Sequence, residues 1–367
     1  MNVPTTIQSN GQVMDIFTGK LPFTLPTRPN VRRIRGATSG LETATERTQP
    51  MMGFEPRFTD IVDYIVRITD EIWTDRAIGY IRETYAPDCT VYSGYGIVGS
   101  GEAVVQSTIA GIAAVPDGDT NHLNVAWSGN DEVGFYTAHL GFGGGVNRVA
   151  TVYGPATGEK YSNRFAADCI SKDNRIHTEW LVRDNGACVR ELGFDLDDAA
   201  RAVAEQANGD LVLKVPGKDP SAPATYPAGT VEAWAQSLFD SIWNDRRLDR
   251  LCQYYAPDVV AHSGGGRTLE GLTTLSTLIV QLLASIPDGT MEVGHVCWSE
   301  ETDGVIVAVR WALTGTSKRG GLLGDQWREG KQVCMMGSSH LRLTGLLIIE
   351  EWTVFDEVAV LAMAYRD

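Results

Sequence analysis

The sequence predicts an α+β fold written twice: two tandem cone-shaped α+β barrel domains, each a curved, mostly antiparallel sheet with three helices over its open side. Three observations carry this expectation. Short motifs recur in the same order along the two halves of the 367 residues. In each copy, apolar residues at helical spacing come first and segments of period two follow. The strand Glu179-Trp180-Leu181-Val182-Arg183-Asp184 returns near the end as Glu351-Trp352-Thr353-Val354-Phe355-Asp356.

Residues 1–56, rich in Thr, Pro, Gly and Arg, lack a sustained period and read as a largely irregular N-terminal arm. Its basic stretch, Arg28 to Arg35, suits a mobile tail or an arm laid across the acidic body or a second subunit. Domain 1, residues 57–195, opens with a helix carrying Ile61, Val62, Ile65, Ile68 and Ile72 on one face. Ile72-Trp73-Thr74-Asp75-Arg76 then recurs as Ile242-Trp243-Asn244-Asp245-Arg246. Tyr85-Ala86-Pro87-Asp88 recurs as Tyr255-Ala256-Pro257-Asp258, where proline ends a short helix and a strand begins. A third helix runs to Pro116-Asp117-Gly118, matched by Pro287-Asp288-Gly289. Meander strands are expected over 124–128, 132–141, 149–153, 161–170 and 175–184, then over 292–299, 305–314, 332–343 and 347–355. Turn pairs such as Asp173-Asn174 and Thr344-Gly345 join them. Residues 196–227 read as a helix, over 196–206, and a linker rich in proline and glycine. Domain 2 fills 228–367.

A formal charge of −15 argues against a general nucleic-acid or anionic-membrane surface. No apolar run approaches the ~20 residues of a membrane span, and the N-terminus lacks a secretion pattern. The six scattered cysteines form no CxxC pair and read as reduced, mostly buried thiols of a cytoplasmic protein. His122, His177 and His295 show no metal-ligand spacing, so no metal site is expected.

The order of helix, Tyr-Ala-Pro-Asp, strand, helix, Pro-Asp-Gly and meander, closing on Glu-Trp-x-x-x-Asp, resembles the SnoaL-like polyketide cyclase branch of the nuclear transport factor two-like superfamily. The resemblance covers both halves and implies a cofactor-free pocket at the open end of each cone. It also implies acid–base residues on the inner face of the meander and at the Asp of the last strand, here Asp184 and Asp356. Thr314-Gly315-Thr316 matches the family's Thr-Gly-Thr-His stretch, with Ser317 in place of His. The first copy has Gly141-Phe142-Gly143 there. Single-domain relatives often form sheet-packed dimers, so a homodimer, or a pseudo-dimer within the chain, is expected.

In the first copy the candidate catalytic residues are His139 as base, Asp168 and Asp184 as its orienters, and Tyr92 as a hydrogen-bond donor. Asn163 and Trp127 are expected to bind substrate. A carboxylate in the apolar strand around Asp168 is costly unless paired, and a His within its reach is a common route to a base near neutral pH. The same pair would also serve to hold two strands in register. In the second copy, His262, His340 and Asp356 form the parallel set, with Arg310 and Trp298 as binding residues. His340 takes the place of Asp168, Trp311 of His139 and His262 of Tyr92. Glu179 and Glu351, on the face opposite the tryptophans, are expected to meet solvent or an interface. Together these residues suit a cofactor-independent acid–base enzyme of cyclase, isomerase or lyase type, acting on a small organic, aromatic or carbonyl-bearing molecule. The competing class is a non-catalytic binding or assembly module of the same fold.

Overall fold

The structure, a computed structural model, describes residues 19–29, 31, 46–207, 211, 225–301 and 304–366, together with the backbone of 5–9 and 12–16. Most of the proposed linker lies outside these residues. Within the arm, β1 (Thr5–Ser9) and β2 (Gln12–Ile16) pair antiparallel. The Asn10-Gly11 dipeptide between them is a strong hairpin signal that composition alone conceals.

Helix α1 (Ile61–Thr69) is started by Asp60, whose side chain accepts from the Asp63 N–H, and buries its isoleucines. It ends in a π-helical turn over Asp70–Thr74, then a short α2 (Ile81–Thr84) leads into β3 (Tyr85–Ser93) and β4 (Gly96–Val98). Helix α3 (Gly101–Ala114) precedes the meander β5 (Asp119–Asn130), β6 (Gly134–Val146), β7 (Lys160–Lys172) and β8 (Arg175–Arg183). Helices α4 (Asn185–Glu191) and α5 (Leu196–Ala207) follow. The order then returns. It runs through α6 (Val231–Phe239), a π-helical turn at Asp240–Asn244, α7 (Leu251–Tyr254), β9 (Tyr255–Ser263), β10 (Arg267–Glu270) and α8 (Gly271–Ser285). Strands β11 (Thr290–Glu300), β12 (Val305–Thr316), β13 (Gln332–Thr344) and β14 (Leu347–Phe355) and helix α9 (Glu357–Tyr365) complete it. The strand expected at 149–153 is absent: that stretch forms only an isolated bridge between Thr151 and Gly154.

The repeated motifs hold these elements by binding one another. Arg76, in the left-handed region at φ 63°, donates to the carbonyls of Pro116 and Gly118; Arg246 (φ 59°) does the same to Pro287 and Gly289. The Tyr85 hydroxyl donates to Glu179 at 2.9 Å, and Tyr255 to Glu351 at 2.8 Å. These bonds tie β3 to β8 and β9 to β14, the two parallel pairs in an otherwise antiparallel sheet. Glu179 and Glu351 are therefore inside the fold, a correction to the expectation of solvent: the face opposite Trp180 is the one the helices cover.

All strands of both halves form one 12-stranded sheet, in the order β10-β9-β14-β13-β12-β11-β5-β6-β7-β8-β3-β4. Register shifts between His122 and Asn124 and between Val293 and His295 supply bulges that bend it. Each half wraps its inner face around its own helices, and the two outer faces pack together. The halves meet along the sheet at one bridge, Trp127 to Trp298. Arg28 closes that seam. Its guanidinium lies 4.3 Å from the Trp127 ring and 4.5 Å from the Trp298 ring, and it donates to both tryptophan carbonyls at 2.7 and 2.6 Å. Burial pushes its pKa down to about 10, against the pull of Glu300. Trp127 and Trp298 are thus seam residues rather than pocket walls.

Arg28→Ala removes two hydrogen bonds to part-buried carbonyls and both cation–π contacts, which together cost about 2–4 kcal/mol. Urea unfolding is expected to show that loss, with Arg28→Lys recovering less than half of it.

Candidate active site

The inner face of the first half encloses a cavity of about 420 Å³, within the range of small-molecule sites. Strand register sets its layers. The deepest holds Thr137, Cys169 and Glu179; the next, His139, Ala167 and Leu181; then Gly141, Phe165 and Arg183; and nearest the mouth, Gly143 and Asn163. Ile65, Ile68 and Ile72 from α1 and the turn after it, and Val104 and Thr108 from α3, form the opposite wall.

Within this apolar shell one polar chain reaches the outside. Asp70 Oδ1 lies 2.8 Å from His122 Nε2, and His122 Nδ1 lies 2.8 Å from His139 Nε2. With Asp70 ionised, His122 donates to it from Nε2 and accepts at Nδ1 from His139, so the nitrogen left to His139 is Nδ1. The two rings stack with centroids 4.9 Å apart. Asp70 has 44% of its side chain in solvent, whereas His139 is 1% exposed. Burial, then the charges of His122 and His340, hold His139 well below the ordinary histidine range, so it is neutral at pH 7. Burial likewise raises Glu179, partly offset by the Tyr85 hydroxyl and by Arg183.

The matching layers of the second half contain no such chain. Aligned by register, Val293 stands for His122, Val309 for His139 and Trp311 for Gly141. Trp311 is therefore two residues from the position expected for it, because the two extra residues of the second half lie in the connection between β12 and β13, after Trp311, and not before it. Its buried ring occupies the cone interior: it donates to Ser339 at 3.0 Å and meets Phe355, and a side chain at Gly337 would collide with it. Asp240, the counterpart of Asp70, is held instead by Gln236 and Asn244.

Of the residues expected in the pockets, His139 and Asn163 line the first cavity. The others lie elsewhere. Asp168 pairs across from Ala138, not His139, and points to the outer face. There it accepts from Tyr136 at 2.7 Å, and Arg310 of the other half donates to the same Tyr136 oxygen at 3.0 Å. Burial raises Asp168 to about 6. Arg310 also stacks over Trp180 at 3.9 Å, so it too is an interface residue. Tyr92 stacks on Trp180 and His262 on Trp352, again on the outer face. Asp184 and Asp356 lie past the ends of their strands, where alternation no longer applies. Each caps the next helix, accepting from Ala187 and Ala359 respectively. Asp184 also accepts from the Gly265 and Gly266 N–H groups of the other half, and Asp356 from Asn185. Burial raises Asp184, and raises Asp356 to about 7. His340 is fully buried between the halves, with Nδ1 2.8 Å from Asn124 Oδ1.

Sequence reasoning missed Tyr85 and Arg183, which line the cavity, and His122 and Asp70, which stand behind His139. The signal for His122 was faint: β5 begins at Asp119 rather than 124, and only the bulge brings His122 beside His139.

Residues 233–363 match the family model of SnoaL-like polyketide cyclases, which covers the half with the filled cone. A search of curated proteins gives no match. Among solved structures the chain is similar to a SnoaL-like polyketide cyclase from Agrobacterium tumefaciens, with 21% identity, covering 35% of this chain and 93% of that one, TM-score 0.29. It is also similar to IdmH from Streptomyces antibioticus (23%, covering 35% and 94%, TM-score 0.30) and to TsrD from Streptomyces laurentii (13%, covering 36% and 97%, TM-score 0.32). Among the described residues no helix is long and apolar enough to cross a membrane, and no cluster of side chains is arranged to hold a metal ion.

His340 provides a check on the buried interface. Burial lowers it from the ordinary 6.5 to about 3, so the unfolded chain binds its proton first. Its contribution is complete above pH 6.5 and is lost as pH falls toward 3. Urea midpoints at pH 7 and pH 4.5 are expected to differ less for His340→Gln than for the wild type.

Proposed function

We propose that the first half is a cofactor-independent acid–base enzyme of cyclase or isomerase type, acting on a small, largely apolar carbonyl compound. In this reading the chain is two SnoaL-like domains in tandem, residues 57–195 and 228–367. The second is a closed scaffold whose sheet takes the place of a partner subunit. The observation that supports it is the Asp70–His122–His139 chain, which runs from solvent to a single imidazole nitrogen in an enclosed cavity.

The chemistry follows from the tautomers. His139 Nδ1 accepts a proton from a carbon next to the substrate carbonyl, leaving an enolate. The imidazolium releases its Nε2 proton to His122 Nδ1, and His122 passes its own Nε2 proton to Asp70, so the positive charge does not stay in the apolar cavity. Asn163 lies on the mouth side of His139, where its amide can donate to the enolate oxygen. Returning the proton to a different atom completes an isomerisation. If the enolate attacks a second carbonyl instead, the new alkoxide takes the proton and a ring closes. Glu179 and Tyr85 belong to the scaffold, since Glu351 and Tyr255 make the same bond beneath a filled cone.

Exchange of the acetyl protons of 2-acetylnaphthalene in D₂O, followed by NMR, tests this reading. His139→Gln and His122→Gln are expected to slow exchange by about 100-fold or more, and Asp70→Asn by about tenfold. Asp168→Asn is expected to reduce thermal stability and leave exchange within about twofold of wild type, since Asp168 faces the other half. Wild-type exchange in His139→Gln would sink the proposal.

A further inference from the structure

The described lining of the cavity contains one cation for which the acid–base reading has no use. Arg183 is the only Lys or Arg among its described lining residues. It contacts the Trp73 ring, with its guanidinium carbon 5.5 Å from the centroid, and makes no hydrogen bond or ion pair with any described residue. Other arginines of this acidic chain are engaged by carboxylates or carbonyls, such as Arg57, Arg67, Arg76 and Arg190. Beyond its through-space pull on Glu179, this half-buried guanidinium keeps donors free for an acceptor that enters the cavity.

The second half serves as an internal comparison. Register places Phe355 at the position of Arg183, Met335 at that of Asn163 and Val333 at that of Tyr161. The fold therefore does not need polar side chains there; they occur only where the cavity is open. Arg183 and Asn185 also line a second cleft, which shares Val91, Val98, Ser107 and Leu181 with the first and continues toward Tyr95 and Asp356. The guanidinium thus stands where the cavity opens, not at its floor.

We propose that Arg183 binds a carboxylate of the substrate, with Tyr161 as a flanking donor; the proposal rests on the acid–base reading of the same cavity. Arg183 lies one layer nearer the mouth than His139 and two strands across, about 7 Å along the strands and about 10 Å between them. The substrate class is then an elongated aromatic keto acid: anion toward the mouth, acidic carbon roughly 12 Å away, about 7 Å of it inward. A planar carboxylate suits the guanidinium fork, which is aimed past the Trp73 ring.

The test compares 6-acetyl-2-naphthoate with 6-acetyl-2-naphthamide, which differ only in the anion. Affinities are measured by calorimetry, and exchange of the acetyl protons in D₂O is measured by NMR. The acid is expected to bind the wild type about tenfold or more tightly than the amide. Arg183→Met is expected to abolish that preference by weakening the acid alone, with Arg183→Lys intermediate. Equal affinities in the wild type, a preference that survives in Arg183→Met, or no measurable binding of the acid each overturns the proposal. If Arg183→Met fails to fold, the wild-type preference and its decline with added salt decide. Anion preference without exchange would defeat the acid–base reading and leave the role of Arg183 standing; equal exchange and affinity for both probes would do the reverse.

Discussion

A carboxylate, a phenol and a guanidinium meet between the two outer faces, and the architecture depends on their being satisfied together. Asp168 and Arg310 come from different halves and are joined through the hydroxyl of Tyr136, with Trp180 covering the cation. None of these groups would tolerate burial alone. Around them Asn124 bonds Ser299 and His340, Asp184 takes two N–H groups from the other half, and Glu357 lies between Arg190 and Arg267 at 2.6 Å. The outer faces are thus joined by matched polar groups as well as apolar area. Matched polar groups also make the packing angle specific, because sliding the sheets would strand several charges at once.

That interface explains what the sequence revealed and what it hid. Helices, meander and internal repetition were legible, because apolar spacing and recurring motifs report directly on local structure. Helix α5 falls where its period places it; among the strands, β5 begins five residues before its expected start, β6 runs five past its expected end, and none forms at 149–153. The site was less legible. Buried polar residues stand out in a sequence whether they serve chemistry or packing, and Asp168, His340, Asp184 and Asp356 all serve packing. Alternation correctly put Trp180 opposite Glu179, but nothing in the pattern says which face the helices will cover. The relation between His139 and His122 depends on a bulge, and a bulge leaves almost no mark on composition.

Repetition itself proved informative in an unexpected direction. Motifs shared by both halves, such as Tyr-Ala-Pro-Asp with Glu-Trp, or Asp-Arg with Pro-Asp-Gly, bind each other and build the frame. The groups with chemical potential are those the halves do not share: His122, His139, Asn163 and Arg183, set against Val293, Val309, Met335 and Phe355. Gly141 leaves room for the Phe165 ring, which meets the stacked imidazoles edge-on, and Trp311 stands at the same position on the other side. Exchange of the smallest residue for the largest at this one position, together with those four, separates the lined cavity from the apolar core.

The filled cone has a mechanical consequence. A solid half cannot breathe: displacing Trp311 would break its bond to Ser339 and open a void in close-packed surroundings. The open half has slack around its cavity, and its sheet rests through the outer faces on a neighbour that does not yield. Admission of a ligand is therefore confined to the helices and the hairpin around one mouth, while the strands carrying His139 are braced from behind like a plate on an anvil.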